Sequence, residues 1–157
     1  MTGSILDYVA VVLSIALASV GTGIGQGMAA AQALSAIDRQ EFGRSHVFRT
    51  VMLGLVLCES ACIFALIISI ILFGSIDGVT TVAATLCRLG AALAIGVSAC
   101  AVGIASSYAV SASCVSVSRQ PFYSQRIMTL MLISQTIIEA PVIFAFIFAL
   151  IIKGSIY

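Results

Sequence analysis

Two glutamates lie near the middle of long apolar segments. Glu59 is surrounded by VMLGLVLCESACIFALIISIILF and Glu139 by IMTLMLISQTIIEAPVIFAFIFALII. A charged carboxylate at the centre of a bilayer costs several kcal/mol, so we expect each group to be neutral, through protonation or cation binding. Such residues typically mark an ion pathway. The alternative is a protonated glutamate that only hydrogen-bonds a neighbouring helix.

Polar groups also surround the second glutamate on its own segment. Gln135 and Thr136 lie one helical turn before Glu139, at spacings that share its face. Pro141 has no N–H, so the carbonyl of Ile137 loses its helical donor. That carbonyl oxygen is then free to bind a cation or a water, and a simple helix kink is the alternative interpretation.

A glycine-rich stretch, GTGIGQG at residues 21–27, looks at first like a phosphate-binding loop. A dinucleotide fingerprint needs GxGxxG after a strand, but its third glycine position is Gln26 and no strand precedes it. The alternating glycines instead form small-xxx-small pairs on two faces of a helix, which lets membrane helices approach closely. Gln26 lies at a depth suited to meeting Glu59. Ser60 directly follows Glu59 and adds a hydroxyl.

These residues belong to a chain too apolar for a water-facing surface. It has 157 residues, of which 61% are hydrophobic and 8% charged, whereas soluble domains carry about 25% charged residues. Apolar runs of this length predict an all-α membrane protein with four transmembrane helices. The predicted spans are about 5–37, 47–73, 80–117 and 127–152. Residues 1–8 lack the basic region of a signal peptide.

Metal and nucleic-acid binding are not indicated. The five cysteines are scattered singly through apolar segments, without a CxxC pair, and the only histidine, His46, lies in a polar turn. We therefore interpret the cysteines as small packing residues. The net charge of +1 argues against a nucleic-acid partner.

Basic residues predict the orientation in the membrane. The connections after the first and third helices contain most of them: Arg39, Arg44 and Arg49, then Arg119 and Arg126. The opposite ends carry Asp7, Asp77, Lys153 and Arg88. By the positive-inside rule both connections face the cytoplasm, so two hairpins have the same orientation.

The two hairpins are copies of each other, and the residue numbers of corresponding positions differ by 80 throughout. Glu59 and Glu139 correspond in this way. So do Gly23-Ile24 and Gly103-Ile104, Arg39-Gln40 and Arg119-Gln120, Ile63-Phe64-Ala65 and Ile143-Phe144-Ala145, and Gly74-Ser75-Ile76 and Gly154-Ser155-Ile156. This parallel repeat predicts two units, residues 1–77 and 78–157.

The repeated motifs resemble the c subunit, or proteolipid, of rotary ATP synthases and ATPases. The first copy reads GTGIGQGMAAAQALSAIDRQ and LCESACIFALIISIILF, and the second VGIASSYAVSASCVSVSRQP and IIEAPVIFAFIFAL. The local motifs are most similar to the F-type subunit, and the fused double hairpin to the vacuolar and archaeal type. The likeness spans nearly the whole chain.

This resemblance implies a homo-oligomeric ring in a bacterial cell membrane or an organellar membrane, with helices 1 and 3 inside and helices 2 and 4 facing lipid. Glu59 and Glu139 would carry the ion, and no cofactor or catalytic site is expected in this chain. An arginine on a stator subunit would release the ion. The turns would dock the cytoplasmic central stalk through Arg39, Gln40, Arg119 and Gln120.

The chain also departs from the family pattern. Glu41 stands in the first turn where the second has the family-like Pro121. Helix 3 has Ala105, Ser106 and Ser107 where helix 1 has Gly25, Gln26 and Gly27, so its backbone is expected to be spaced further from its neighbours. Two carboxyl groups per chain imply two ions per chain.

The identity of the ion follows from the same comparison. In sodium-binding relatives the site consists of an inner-helix glutamine, the glutamate, the following serine and a backbone carbonyl. Gln26, Glu59 and Ser60 match it, and Na⁺ is possible there. The second hairpin has Ser106, Glu139 and Ala140, an incomplete set. Desolvated Na⁺ needs several oxygen ligands and a proton only the carboxylate, so we favour H⁺.

Two other classes of function are compatible with membrane glutamates. One is a small secondary transporter for cationic drugs, which predicts a cavity lined with aromatic residues. The aromatic residues here lie mostly toward one end of helices 2 and 4. The other is a structural membrane protein whose glutamates only join helices, which leaves their equivalent depth unexplained.

Overall fold

Four long helices and one short 3-10 turn make up the chain. The computed structural model describes residues 2–76 and 81–154, with side chains from residue 5 onward. The elements are α1 (Thr2–Arg39), α2 (Arg44–Phe73), α3 (Val82–Arg119), a 3-10 turn (Pro121–Tyr123) and α4 (Ser124–Gly154). All four helices are long and apolar enough to cross a membrane, so the predicted all-α membrane fold is confirmed.

Each predicted span lies within one of these helices, apart from residues 80 and 81 at the start of the third span. Residue 80 lies outside the described residues, as do Asp77, the predicted boundary between residues 77 and 78, and Ser155 and Ile156 of the repeat. The observed helices extend beyond the apolar spans because the polar residues at their ends still complete the backbone hydrogen-bond ladder.

Local signals in the sequence explain where several helices begin and end. Thr81 caps α3, since its hydroxyl oxygen accepts a hydrogen bond from the backbone N–H of Ala84 at 3.3 Å. The helix ends at Arg119 because the next residue but one is Pro121, which disfavours helical backbone at Gln120. The first turn uses Gly43 instead, immediately before α2.

Packing arranges the helices in two layers. Helix α1 packs along most of α3, while α2 lies against both α1 and α3. Helix α4 packs mainly against α3 and less extensively against α2. The pair α1–α3 therefore forms one layer, and α2 and α4 cover the same side of it.

Glycines allow the close approach of α1 and α3. A Cβ atom at Gly21 would overlap the backbone of Cys100, and one at Gly25 would overlap the carbonyl of Gly103. A Cβ atom at Gly103 would lie 2.8 Å from the backbone nitrogen of Thr22. The larger residues of α3 do not prevent this contact, since Gly103 remains at it.

Small side chains fill the interior and large ones cover the outside. Alanine is the commonest of the buried apolar residues in the described part of the chain, with Ala18, Ala29, Ala91 and Ala92 among them. Large apolar side chains such as Phe144 and Ile151 are exposed. This distribution suits a bilayer, in which close packing of small residues holds helices together and lipid tails solvate the large ones.

Candidate functional site

The first glutamate lies at the edge between α1 and α2. The side-chain nitrogen Nε2 of Gln26 lies 3.1 Å from Oε1 of Glu59 and 3.3 Å from the carbonyl oxygen of Leu55. The structure thus brings Gln26 and Glu59 together, as the sequence predicted. Both line an open pocket of about 320 Å³ that also includes Thr22 and Cys62.

The second glutamate obtains its donor from the other hairpin. The hydroxyl oxygen of Ser60 lies 2.7 Å from Oε1 of Glu139 and 2.8 Å from the carbonyl oxygen of Leu57. The sequence placed Ser60 in one set with Gln26 and Glu59, but here its hydroxyl contacts Glu139. Consecutive residues of an α-helix point about 100° apart, so Glu59 faces α1 while Ser60 faces α4.

The Ser60 hydroxyl suits both states of the Glu139 carboxyl. A hydroxyl has one proton to donate and two lone pairs to accept with. Beside an ionised Glu139 it donates to the carboxylate. Beside a protonated Glu139 it accepts a hydrogen bond from the carboxyl O–H and donates its own to the carbonyl oxygen of Leu57. The cluster therefore satisfies its hydrogen bonds before and after proton transfer.

A buried glutamine joins α4 to α3 one turn before Glu139. Gln135 is 1% exposed, and its Nε2 donates to the carbonyl oxygen of Ser106 at 3.2 Å. In the described part of the chain, the hydroxyl oxygen of Ser106 has no hydrogen-bond partner, and Oε1 of Gln135 has no N–H or O–H donor. Neither residue hydrogen-bonds Glu139, although both were predicted to lie at its site.

The two glutamines take part in the same helix–helix contact of the repeat, but from opposite sides of it. In the repeat, Gln26 corresponds to Ser106 and Leu55 to Gln135. In the first hairpin α1 provides the glutamine and α2 the carbonyl, whereas in the second hairpin α4 provides the glutamine and α3 the carbonyl. Of the two glutamines, Gln26 hydrogen-bonds a glutamate.

The remaining candidate on α4 is the carbonyl of Ile137. Pro141 lies inside α4 and cannot donate to it. The Ile137 side chain is 70% exposed, and no described side chain donates to this carbonyl. The carbonyl of Ile137 therefore remains a candidate ligand on the exposed face of α4.

The two polar turns lie side by side at one end of the helices. Arg39, Gln40 and Arg119 line a cleft of about 210 Å³ between α1 and α3. Gln120 follows directly, with its N–H bonded to the carbonyl of Ser116. Nearby, the imidazole Nδ1 of His46 lies 3.1 Å from the hydroxyl of Ser124, which joins the starts of α2 and α4.

A buried ion pair joins α1 and α3 and was not predicted from the sequence. Asp7 on α1 and Arg88 on α3 are fully buried, with Arg88 Nη1 3.1 Å from Asp7 Oδ1. Arg88 Nη2 also donates to the carbonyl of Ser75 at 2.7 Å. The signal was present, because Arg88 directly follows Cys87, the counterpart of Asp7 in the repeat, and so the opposite charges lie at a similar depth. A buried charge needs such a partner.

Comparison with known proteins agrees with the duplicated hairpin. A family model for the C subunit of ATP synthase matches residues 9–72 and 89–152. The starts of these two stretches are related by the same offset as Glu59 and Glu139. The matched stretches together cover most of the chain, one in each hairpin.

Several named relatives each match about one hairpin. The chloroplastic ATP synthase c subunit of Rhodomonas salina is 42% identical over 69 residues, which are 44% of this chain and 84% of that protein. The ATP synthase c subunit of Microcystis aeruginosa is 38% identical over 66 residues, 42% of this chain and 82% of its own length. The corresponding protein of Gloeobacter violaceus is 41% identical over 66 residues, with 42% and 80% covered.

Proposed function

Since the chain belongs to the family of ATP synthase C subunits, which are non-catalytic membrane components of that complex, we propose that it forms a rotor ring that carries H⁺ across the membrane. The observation that carries this proposal is the pair of repeat-related glutamates within the apolar spans. Each of them has a side-chain hydrogen-bond donor within 3.1 Å.

The chemistry of transport follows from the cost of charge in lipid. A carboxyl group passing through the hydrocarbon layer must be neutral, so Glu59 and Glu139 are protonated while they face lipid. The proton leaves where a positive charge stabilises the carboxylate. We assign that charge to an arginine of a stator subunit, because the basic residues of this chain lie toward the helix ends, away from both glutamates.

The helix arrangement supports a ring with α1 and α3 inside. The glycine contacts between α1 and α3 allow the tight spacing that an inner circle of helices needs. Helices α2 and α4 cover one side of this pair and present large apolar side chains, including Ile137 and Phe144. Glu59 and Glu139 lie on these outer helices, which lipid and the stator would meet.

The turns are assigned to the cytoplasmic side and to the central stalk. Basic residues cluster at this end, as the positive-inside rule requires of cytoplasmic connections. The cleft lined by Arg39, Gln40 and Arg119, with Gln120 beside it, offers a polar docking surface.

The surroundings of the glutamates support H⁺ over Na⁺. Sodium would need several oxygen ligands around one point. Gln26, Glu59 and Ser60 were the candidate set, but the Ser60 hydroxyl lies against Glu139 and Gln26 points its Nε2 at Glu59. Each carboxyl thus faces a hydrogen-bond donor, which suits a protonation site.

Carbodiimide labelling of the purified ring tests this proposal. The reagent adds the protonated carboxyl across its C=N bond, so it reports neutral carboxyl groups in an apolar environment. We expect labelling at Glu59 and Glu139, measured by mass spectrometry, and loss of ATP-driven proton pumping in vesicles that contain the complex. Absence of label at both residues would contradict the rotor function. Protection by Na⁺ at constant pH would replace H⁺ by Na⁺.

A further inference from the structure

We propose that the two glutamates of each chain carry their ions in two different sites, one within a hairpin and one between hairpins. Glu59 receives its donor from Gln26 of the same hairpin, and Glu139 receives its donor from Ser60 of the other. Where two copies of the chain meet, Ala140 of one copy faces Glu59 of the next and offers no hydroxyl. This inference rests on the proposed ring.

The contact between the hairpins of one chain serves as a template for the contact between copies. In a ring of duplicated hairpins, each second hairpin is followed by the first hairpin of the next chain. The repeat relates Ser60 to Ala140, and the counterpart of Glu139 is Glu59. The contact of Ser60 with Glu139 within a chain therefore corresponds to a contact of Ala140 with Glu59 between chains.

The free edge of the first hairpin has the shape that this contact requires. Glu59 is exposed there, beside the open pocket between α1 and α2. On the same edge Gly23 and Gly27 are exposed, and a Cβ atom at either would meet nothing within 4 Å. This surface of small residues is unused within the chain.

The second hairpin presents the complementary edge. Within the chain, Gly21 and Gly25 of α1 pack against α3. Their counterparts on α3 are Ala101 and Ala105, which are exposed. By the repeat, these alanines pack against the edge with Gly23 and Gly27 in the next copy. At the spacing of α1 and α3 within the chain, the Cβ atoms of these alanines would overlap backbone atoms of the next copy. The contact between copies is therefore wider than the contact between α1 and α3 within a chain.

The distribution of donors compensates for the missing hydroxyl. Gln26 reaches Glu59, where the neighbouring copy supplies only Ala140. In the second hairpin the counterpart of Gln26 is Ser106, whose hydroxyl has no partner among the described residues, and Ser60 supplies the donor to Glu139. Each glutamate thus keeps one side-chain donor, but from a different helix.

Other titratable groups near the two sites are thiols. Cys58 lies close enough to interact with both Glu59 and Glu139, and Cys62 close enough to interact with Glu59. The other charged residues of the four packed helices lie toward the helix ends and are Asp7, Asp38, Arg39, Arg44, Arg49, Arg88, Arg119, Arg126 and Lys153. Substitutions at residues 60 and 140 therefore act on the two glutamate carboxyls, with no other charged side chain of the described helices beside them.

The test measures carbodiimide labelling of each glutamate against pH in assembled rings. The hydrogen bond that a hydroxyl donates to an ionised carboxylate is stronger than the one it accepts from a neutral carboxyl. Removing the hydroxyl therefore disfavours the ionised form and extends labelling to higher pH. S60A should move the labelling midpoint of Glu139 upward by about one pH unit and leave Glu59 unchanged. A140S should move the midpoint of Glu59 downward by a similar amount and leave Glu139 unchanged. A140T replaces A140S if the serine variant does not assemble.

The double variant S60A/A140S is the matched control, since it moves the hydroxyl from one site to the other. It should combine both site-specific shifts. An effect of S60A on Glu59 instead of Glu139, an effect of A140S on Glu139, or no shift in any variant would overturn the inference. In those cases wild-type labelling at both glutamates would leave the rotor function intact, whereas no wild-type labelling would refute the rotor function itself.

Discussion

The two hairpins share a backbone plan and a carboxyl group, but they differ in the polar residues around that group. In the first, a glutamine on α1 reaches both α2 and Glu59. In the second, the glutamine is on α4, and Glu139 depends on Ser60 from the first hairpin. After duplication, the depth of the carboxyl was retained while its hydrogen-bond partners were exchanged.

This difference shows which property the membrane constrains most. In the proposed rotor, a carboxyl within an apolar span is useful for transport only at a depth where it is neutral in lipid and can still meet a stator charge. Its donor is less constrained, because an amide or a hydroxyl from any adjacent helix satisfies the same oxygen. The donors can therefore diverge between copies while the glutamates remain.

The largest effects are expected from removing the carboxyls themselves. E59Q and E139Q keep the shape of the side chain but cannot take up or release a proton, so each should reduce ATP-driven proton pumping in vesicles to background. E41Q in the first turn is a control that should pump normally. Pumping by E59Q at the wild-type rate would mean that only the second hairpin carries ions. Pumping by E139Q at the wild-type rate would mean that only the first hairpin carries ions.

A second large effect is expected from the ion pair that breaks the symmetry of the repeat. The counterparts of Asp7 and Arg88 are Cys87 and Tyr8, so no second pair of this kind exists at the equivalent positions. R88A leaves Asp7 buried without its cation and should destabilise the protein by about 3–5 kcal/mol, measured by thermal dissociation of the ring.

The double variant D7A/R88A should lose less stability than R88A, because it leaves no unpaired charge. R126A is a further control, since Arg126 is exposed and only lies over the ring of Tyr123. Equal losses for R88A and R126A would mean that the buried pair does not hold the hairpins together.

A smaller effect is expected from exchanging the two polar patterns. S106Q/Q135L gives the second hairpin the residues found at Gln26 and Leu55 of the first. The inner-helix amide should then reach Glu139, so that S60A in this background shifts the labelling of Glu139 much less than in the wild type. The difference corresponds to about 1 kcal/mol, the usual net value of one hydrogen bond. An unchanged S60A effect would show that the exchange of glutamines does not determine the donor.

Most of the architecture was predictable from the sequence. Apolar runs long enough to span a bilayer have few alternatives to helices there, since every backbone polar group must be satisfied internally. The internal repeat showed that α1 corresponds to α3 and α2 to α4, and it placed Glu59 and Glu139 at the same depth. The match of Gln26 to Glu59 also followed, because residues at equal depth on adjacent helices of a hairpin lie close together.

The partners across the hairpins were decided only by the tertiary structure. Sequence neighbours such as Glu59 and Ser60 suggested one site, but the helical rotation between consecutive residues directs them to different helices. The burial of Gln135 against α3 and the pairing of Asp7 with Arg88 likewise depend on how the helices are rotated about their axes. Hydropathy and repeat length determine which residues share a depth in the membrane. Side-chain packing determines which of those residues meet.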